Sequence, residues 1–337
     1  MSKIRWGVLG VAGIAVKKVI PAMRQAAHSE VTAIASRDLA KAQSAARDLG
    51  IAKAYGSYEA LLADPDIDAI YNPLPNHLHV TWSIRAAEAG KHVLCEKPIG
   101  LNVADARKLI EARDRTRVKI GEAFMIVTHP QWARVIELVR SGAVGVLRAM
   151  QTAFSYNNTN PANIRNMADI GGGGLMDVGC YGIKASRMIF GAEPKRVIGL
   201  IDRDPAFKTD RLTSAMLDFG NGQSVFTCST QLVPYQVVQV FGTKGRIEME
   251  IPFNAVPGEA MRIRMDDGSQ LGGTSARVES SAVCDQYTLQ ADEFSLAILG
   301  ERADVPVTLE DAARNMAVID AIFRSVETAK WESPESI

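Results

Sequence analysis

The sequence has no excess of charge of either sign. Its 337 residues carry 38 lysines and arginines against 38 aspartates and glutamates, a formal net charge of zero. Binding to nucleic acid or to an anionic membrane draws on a basic excess or patch, so neither class has support. Cysteine is scarce. Cys95, Cys180, Cys228 and Cys284 stand far apart, without the close pairs of a metal site. They read as core thiols in a reducing compartment. No apolar run is long enough to span a bilayer, and Met1-Ser2-Lys3 leads straight into an apolar stretch without the layout of a secretory leader. A cytoplasmic protein is the expectation. There is no repeat of fixed period, and Gly171 to Gly174 is the one low-complexity patch.

What is present is ample apolar material. With 47% hydrophobic and 23% charged residues, the composition is that of an ordinary globular protein, and the length favours two domains, each with its own core.

The N-terminal part alternates strand and helix. Ile4 to Leu9 is an apolar strand, followed by Gly10-Val11-Ala12-Gly13-Ile14-Ala15 and a helical stretch to about Ala27. A glycine turn between strand and helix lets backbone approach a dinucleotide pyrophosphate, and the helix N-terminus favours the anion. Ala12 stands where the second glycine of G-x-G-x-x-G/A is usual. Val31 to Ala35 is the second strand. An NAD site places Asp or Glu at its end; this chain lacks one and has Ser36-Arg37. A hydroxyl and a guanidinium suit a 2′-phosphate, which favours NADP over NAD. Asp38 caps the next helix, Leu39 to Leu49.

A third strand, Asp68 to Asn72, runs into the rigid loop Pro73-Leu74-Pro75-Asn76, and His77 opens a helix. Asn76 and His77 are candidates to touch cofactor or substrate; an ordinary histidine at a helix start is the other reading of His77. His79 and His92 read as structural. Lys91 to Cys95 is a short buried strand that delivers Glu96 and Lys97 to its carboxyl end before Pro98. Ligands of open parallel sheets sit at that end. Val118 to Gly121 completes a doubly wound parallel sheet. Five loops, at Gly10, Ser36, Pro73, Glu96 and Glu122 to Phe124, then share one rim.

These residues resemble a known family. Gly10 to Ala15, Tyr71 to His77, Ala89 to Pro98, Gly171 to Tyr181 and Val240 to Arg246 are similar, in this order, to the glucose–fructose oxidoreductase / inositol dehydrogenase (Gfo/Idh/MocA) family, closest to its NADP-dependent sugar and dihydrodiol dehydrogenase branch. The resemblance implies a Rossmann domain over residues 1–122. It also implies an α/β substrate-binding domain over 123–337, whose open, mostly antiparallel sheet often carries a homodimer or homotetramer contact. It places the family's lysine at Lys97 and its acidic and Tyr/His positions at Asp177 and Tyr181. Pro73, Leu74, Asn76, His77, Glu96 and Lys97 join Gly10, Ala12, Gly13, Ile14, Ser36 and Arg37 as expected cofactor contacts. Glucose–fructose oxidoreductase is exported, and export does not carry over.

In the C-terminal half, His129 heads a helix to about Ser141, and Arg148 to Tyr156 is a strand. Arg165, in a polar loop from Asn157 to Asp169, is the candidate for a second cationic cofactor or substrate contact, although Ile164 stands where the family often has an aromatic residue. Asp177 and Tyr181 lie four apart and project from one helical face. Strands from Val197 to Ile251, joined at Gly220-Asn221-Gly222 and Gly242 to Gly245, predict an antiparallel meander. Thr213-x-Ala215-x-Leu217-x-Phe219 alternates, leaving one face free to pair with a partner subunit.

The chemistry expected is hydride exchange between NADP(H) and a sugar or polyol hydroxyl or carbonyl, with no metal. Tyr181 is the proton donor and acceptor. A phenol ordinarily titrates near pH 10, and a lysine ammonium beside it favours the phenolate. Asp177 orients a substrate hydroxyl or balances Lys97. The alternatives are a cyclitol or aromatic trans-dihydrodiol substrate, or a non-catalytic NADP-binding regulator. Lys97, Asp177 and Tyr181 together argue against the regulator.

Overall fold

The structure, a computed structural model, describes residues 3–337. The apolar run at the N-terminus forms strand β1 (Ile4–Leu9), buried at every position but one. A strand enclosed on both faces belongs inside a parallel sheet covered by helices. Its companions are β2 (Ser29–Ala35), β3 (Lys53–Tyr55), β4 (Ala69–Asn72), β5 (His92–Glu96) and β6 (Ile120–Ala123). All pair in parallel, in the order β3-β2-β1-β4-β5-β6. This is the doubly wound dinucleotide-binding order, with its switch point between β1 and β4. Lys53–Tyr55 was not foreseen as a strand. Its three half-buried residues carry no period that could announce one.

The chain forms two compact units, Met1–Thr128 with Asp285–Ala313, and His129–Cys284 with Arg314–Ile337. It therefore crosses between units three times, where the sequence reading drew one boundary at 122. Long-range contacts explain the returning segment. The helix Gln286–Ile298 packs Phe294 against Trp6 at 5.6 Å between ring centroids, and Ser295 accepts from Trp6 Nε1 at 3.3 Å. Asp292 accepts the His28 backbone N–H at 2.8 Å, and Val307 O accepts from Glu122 N at 3.1 Å.

The second unit holds one sheet of eight strands: β7 (Leu147–Asn157), β8 (Arg196–Arg203), β9 (Asp210–Asp218), β10 (Gln223–Ser229), β11 (Gln231–Gly242), β12 (Arg246–Met249), β13 (Arg262–Asp266) and β14 (Arg277–Ser280). Their order is β14-β13-β12-β11-β7-β10-β9-β8, antiparallel except where β10 runs parallel to β7. It is not the simple meander that the turns suggested. β7 lies between β10 and β11, and Thr230 alone carries the chain past its end. One face is covered by helix. A Cβ on Gly199 would stand 2.8 Å from Ile322 Cγ2, within the helix Leu309–Thr328. Thr213, Ala215, Leu217 and Phe219 are buried, as their alternation predicted. Leu200, next to Gly199, projects to the other face and is 76% exposed.

Candidate active site

The cofactor residues expected in the first unit lie at or just past the carboxyl ends of its strands, with Glu96 closing β5 itself and Asn76 and His77 opening the helix after β4. Gly10 takes φ +85°, a left-handed conformation that a side chain disfavours, and its N–H donates to Ala35 O at 2.8 Å. The turn passes through Ala12 and Gly13, and Ala12 O accepts from Val16 N at 3.1 Å. A Cβ on Gly13 would meet no atom within 4 Å, so packing inside the chain does not demand glycine there. Ile14 leads into a widened π-helical turn (Ala15–Val19), whose start has no side-chain cap. The expected helix to Ala27 stops at Met23.

At the end of β2, Ser36 is buried and its Oγ accepts from Asp38 N at 3.2 Å, keeping its own O–H to donate. Asp38 caps the helix Leu39–Leu49 by accepting from Lys41 N at 3.2 Å. Arg37 is exposed and, among the described residues, has no hydrogen-bond or ion-pair partner.

Two loops follow β4 and β5, and one buried histidine ties them together. Pro73 and Leu74 are buried, Asn76 begins the helix Asn76–Glu88, and His77 is exposed at its first turn. His79 sits 2.6 Å from Leu74 O through Nε2 and 2.8 Å from Pro98 O through Nδ1. Burial pushes its pKa down to about 4, so the ring is neutral near pH 7 and donates its single N–H to one of these carbonyls at a time. Lys97 is half-buried in a stretch fixed at three successive residues. Its N–H donates to Glu96 Oε2 at 3.3 Å, Pro98 O faces His79, and Ile99 N donates to Glu122 Oε1 at 2.9 Å. Glu96 also accepts from Tyr71 OH at 2.7 Å. Its carboxylate thus shapes the loop. Asn72 orders the neighbouring loop, accepting from Leu74 N at 3.3 Å and donating to His79 O at 3.1 Å. Asn72 was read only as a strand end and Glu122 only as part of a rim loop; their side-chain bonds, across tens of residues or back along a turn, could not be read locally.

In the second unit, Asp177 lies in a π-helical turn (Leu175–Gly179) that runs into the helix Cys180–Phe190, where Tyr181 occupies the first turn. Widened turns of this kind occur often at functional sites. Asp177 Oδ2 accepts from Tyr156 OH at 2.6 Å and from Arg165 Nε at 2.9 Å. Arg165, expected as a cofactor or substrate cation, is thus an ion-pair partner of Asp177. Tyr156 was missed. Burial, with the Asp177 charge beside it, pushes its phenol well above the ordinary value, so it stays a donor. Tyr181 is 4% exposed, its ring against Phe154 at 5.4 Å and Phe253 at 5.2 Å between centroids. His129 caps the helix Pro130–Arg140 through Nδ1 and is buried there.

The fold agrees with that of known proteins. A family model described as "Oxidoreductase family, NAD-binding Rossmann fold" matches residues 4–124, and one for the "GFO/IDH/MocA C-terminal domain" matches 132–248. The chain belongs to the GFO/IDH/MocA family. It is an oxidoreductase of that family with an NAD(P)-binding domain. An uncharacterized oxidoreductase of Rhizobium meliloti is 50% identical over 99% of this chain and 100% of its own length. D-xylose 1-dehydrogenase (NADP(+)) 2 of Haloferax volcanii is 39% identical over 96% of this chain and 97% of its own. Among solved structures, a 3-ketoreductase from Actinomadura kijaniata, in complex with NADP and TDP-benzene, aligns with a TM-score of 0.89. It shares 29% identity, over 96% of this chain and 98% of that one. No helix among the described residues is long and apolar enough to cross a membrane, and no cluster there could hold a metal ion.

Proposed function

We propose that the protein moves hydride between NADP(H) and a hydroxyl-bearing carbon of a sugar or related polyol. The observation that carries this reading is the Lys97 loop, held at three successive residues on the carboxyl rim of a dinucleotide-binding sheet. The Gly10–Ile14 turn suits the pyrophosphate, because glycine at 10 and 13 leaves the backbone approachable. Arg37, with no partner among the described residues, and the Ser36 hydroxyl suit a 2′-phosphate. Pro73, Leu74, Asn76, His77 and Glu96 complete the cofactor-side residues. NADP, when bound, supplies the hydride acceptor or donor.

The chain's own part is proton handling and placement. Lys97 supports negative charge that develops on the substrate oxygen. Tyr181 takes the hydroxyl proton, or returns it in the reverse direction. Asp177, itself held by Tyr156 and Arg165, orients a substrate hydroxyl. Retention of such a constellation speaks for turnover and against a pure cofactor sensor.

The open face of the eight-stranded sheet supports self-association as a homodimer or homotetramer. Leu200 on β8 and Tyr235 on β11 are 76% and 57% exposed. The test of function is direct. The protein is mixed with NADP or NAD and with D-xylose, D-glucose, a cyclitol and an aromatic trans-dihydrodiol, and reduced nicotinamide is followed by absorbance. Turnover with NADP and an aldose supports the reading. A preference for cyclitol or dihydrodiol moves the substrate class, and NADPH binding without any turnover replaces the enzyme with a cofactor-binding regulator.

A further inference from the structure

We propose that Asp210 is a positioning residue for Asp177 and Tyr181, its buried carboxylate pinning the first turn of their helix to the sheet. The inference rests on the catalytic roles given to those two residues above.

The helix Leu175–Phe190 begins without a local cap. Gly174, at the capping position, has no side chain to accept from the exposed N–H groups. Asp210, at the start of β9 and 35 residues away, supplies the acceptor: its Oδ2 lies 2.6 Å from Leu175 N. The same oxygen accepts from Thr213 Oγ1 at 3.0 Å, and Thr213 is fully buried on the strand. A serine at 174 would cap N–H groups two or three residues further on and would tie the helix to nothing outside itself. An acceptor borrowed from β9 fixes the helix start to the sheet, two residues before Asp177.

The glycine run exists for this contact. Gly173 takes φ +117°, and a Cβ there would stand 1.9 Å from Asp210 Oδ1. A Cβ on Gly172 would fall 2.6 Å from the carbonyls of Arg165 and Met167. The Gly173 N–H donates to Arg165 O at 2.9 Å, and Gly173 O accepts from Asp177 N at 3.1 Å. The glycines therefore admit two groups, the Asp210 carboxylate and the loop that brings Arg165 to Asp177. Asp210 is itself 1% exposed, so it acts through the helix rather than on a ligand. Burial pushes its carboxyl up to about 6, a cost that a neutral side chain would not carry. Its surroundings include the Arg203 charge, the Tyr156 phenol and the Cys228 thiol.

The test compares wild type with Asp210→Ala, Asp210→Asn and Tyr181→Phe, using D-xylose and NADP, well below each melting temperature. Hydrogen exchange of the amides of residues 175–179 is read alongside. Displacing reacting groups by about 1 Å can cost on the order of 100-fold in rate. Asp210→Ala is expected to lose about 10- to 100-fold in kcat, exchange faster at 175–179 and bind NADPH as wild type does. Asp210→Asn, whose amide oxygen still accepts from Leu175 N–H, should recover most of the rate. Should Asp210→Ala fail to fold, Thr213→Val loosens the same carboxylate and is expected to lower kcat in the same direction. Faster exchange with unchanged kcat, while Tyr181→Phe is inactive, overturns the inference and leaves the proposed function standing. Unchanged exchange at 175–179 also overturns it. Full turnover in Tyr181→Phe overturns the catalytic assignment and this inference with it.

Discussion

Replacing Arg37 with alanine tests the proposed NADP recognition apart from everything else the fold does. Arg37 is exposed and has no partner among the described residues, so the folded chain loses no internal bond when the guanidinium goes. Ser36 is a less clean target, because its Oγ also accepts from Asp38 N. A bidentate guanidinium–phosphate contact is a charge-assisted hydrogen bond of about 1.5–3 kcal/mol. Solvent exposure puts Arg37 at the lower end, which corresponds to roughly 10-fold in dissociation constant. NADH, which lacks the 2′-phosphate, should bind the variant as it binds wild type. Isothermal titration with both cofactors at two salt concentrations reads this out, and the NADPH loss should shrink at high salt. Equal weakening of NADH and NADPH, or no weakening of either, would refute the assignment of Arg37 to the phosphate.

Other predictions follow from the same geometry. His79 is held neutral in the fold with a pKa near 4, below the ordinary 6.5. Between those values the unfolded chain takes up a proton that the folded chain does not, so this stabilisation is present above about pH 6.5 and is lost as pH falls toward 4. The loss is on the order of 3 kcal/mol, and urea midpoints measured across that range should fall more steeply for wild type than for His79→Gln. Parallel slopes would show that the buried ring does not titrate this way. Gly10→Ala should destabilise the chain by about 1 kcal/mol and weaken cofactor binding, because φ is +85° there and the added Cβ would stand 3.1 Å from Leu74 Cδ2. An unchanged melting temperature with wild-type NADPH affinity would count against the turn's role.

Much of the first unit was legible because its signals are local. The strand–glycine–helix start, the Ser36-Arg37 pair, the Asp38 cap and the Glu96-Lys97-Pro98 run each declare themselves within a few residues. The cap of the last helix, Thr308 Oγ1 accepting from Asp311 N at 3.3 Å, is local in the same way. What stayed hidden depends on distant partners. Trp6 and Ser295 meet across 289 residues, and nothing near residue 290 announces that its helix belongs with the N-terminal sheet. The place of β7 between β10 and β11 is decided by pairing, not by the short turn at Thr230. The glycines at 171–174 were visible, but their purpose was not, since the carboxylate they admit enters from Asp210. Tyr156 was an unremarked strand residue until its hydroxyl was seen on Asp177.

The central claim is that Lys97 and Tyr181 serve one hydride transfer. Single-turnover absorbance of the reduced nicotinamide, after rapid mixing of the NADP-loaded protein with its best sugar, measures that step in wild type, Lys97→Ala and Tyr181→Phe. The account predicts that both variants keep the wild-type dissociation constant for NADPH to within about threefold and lose at least about 100-fold in the transfer rate, as expected for removal of proton handling. Wild-type transfer rates in both variants would contradict it.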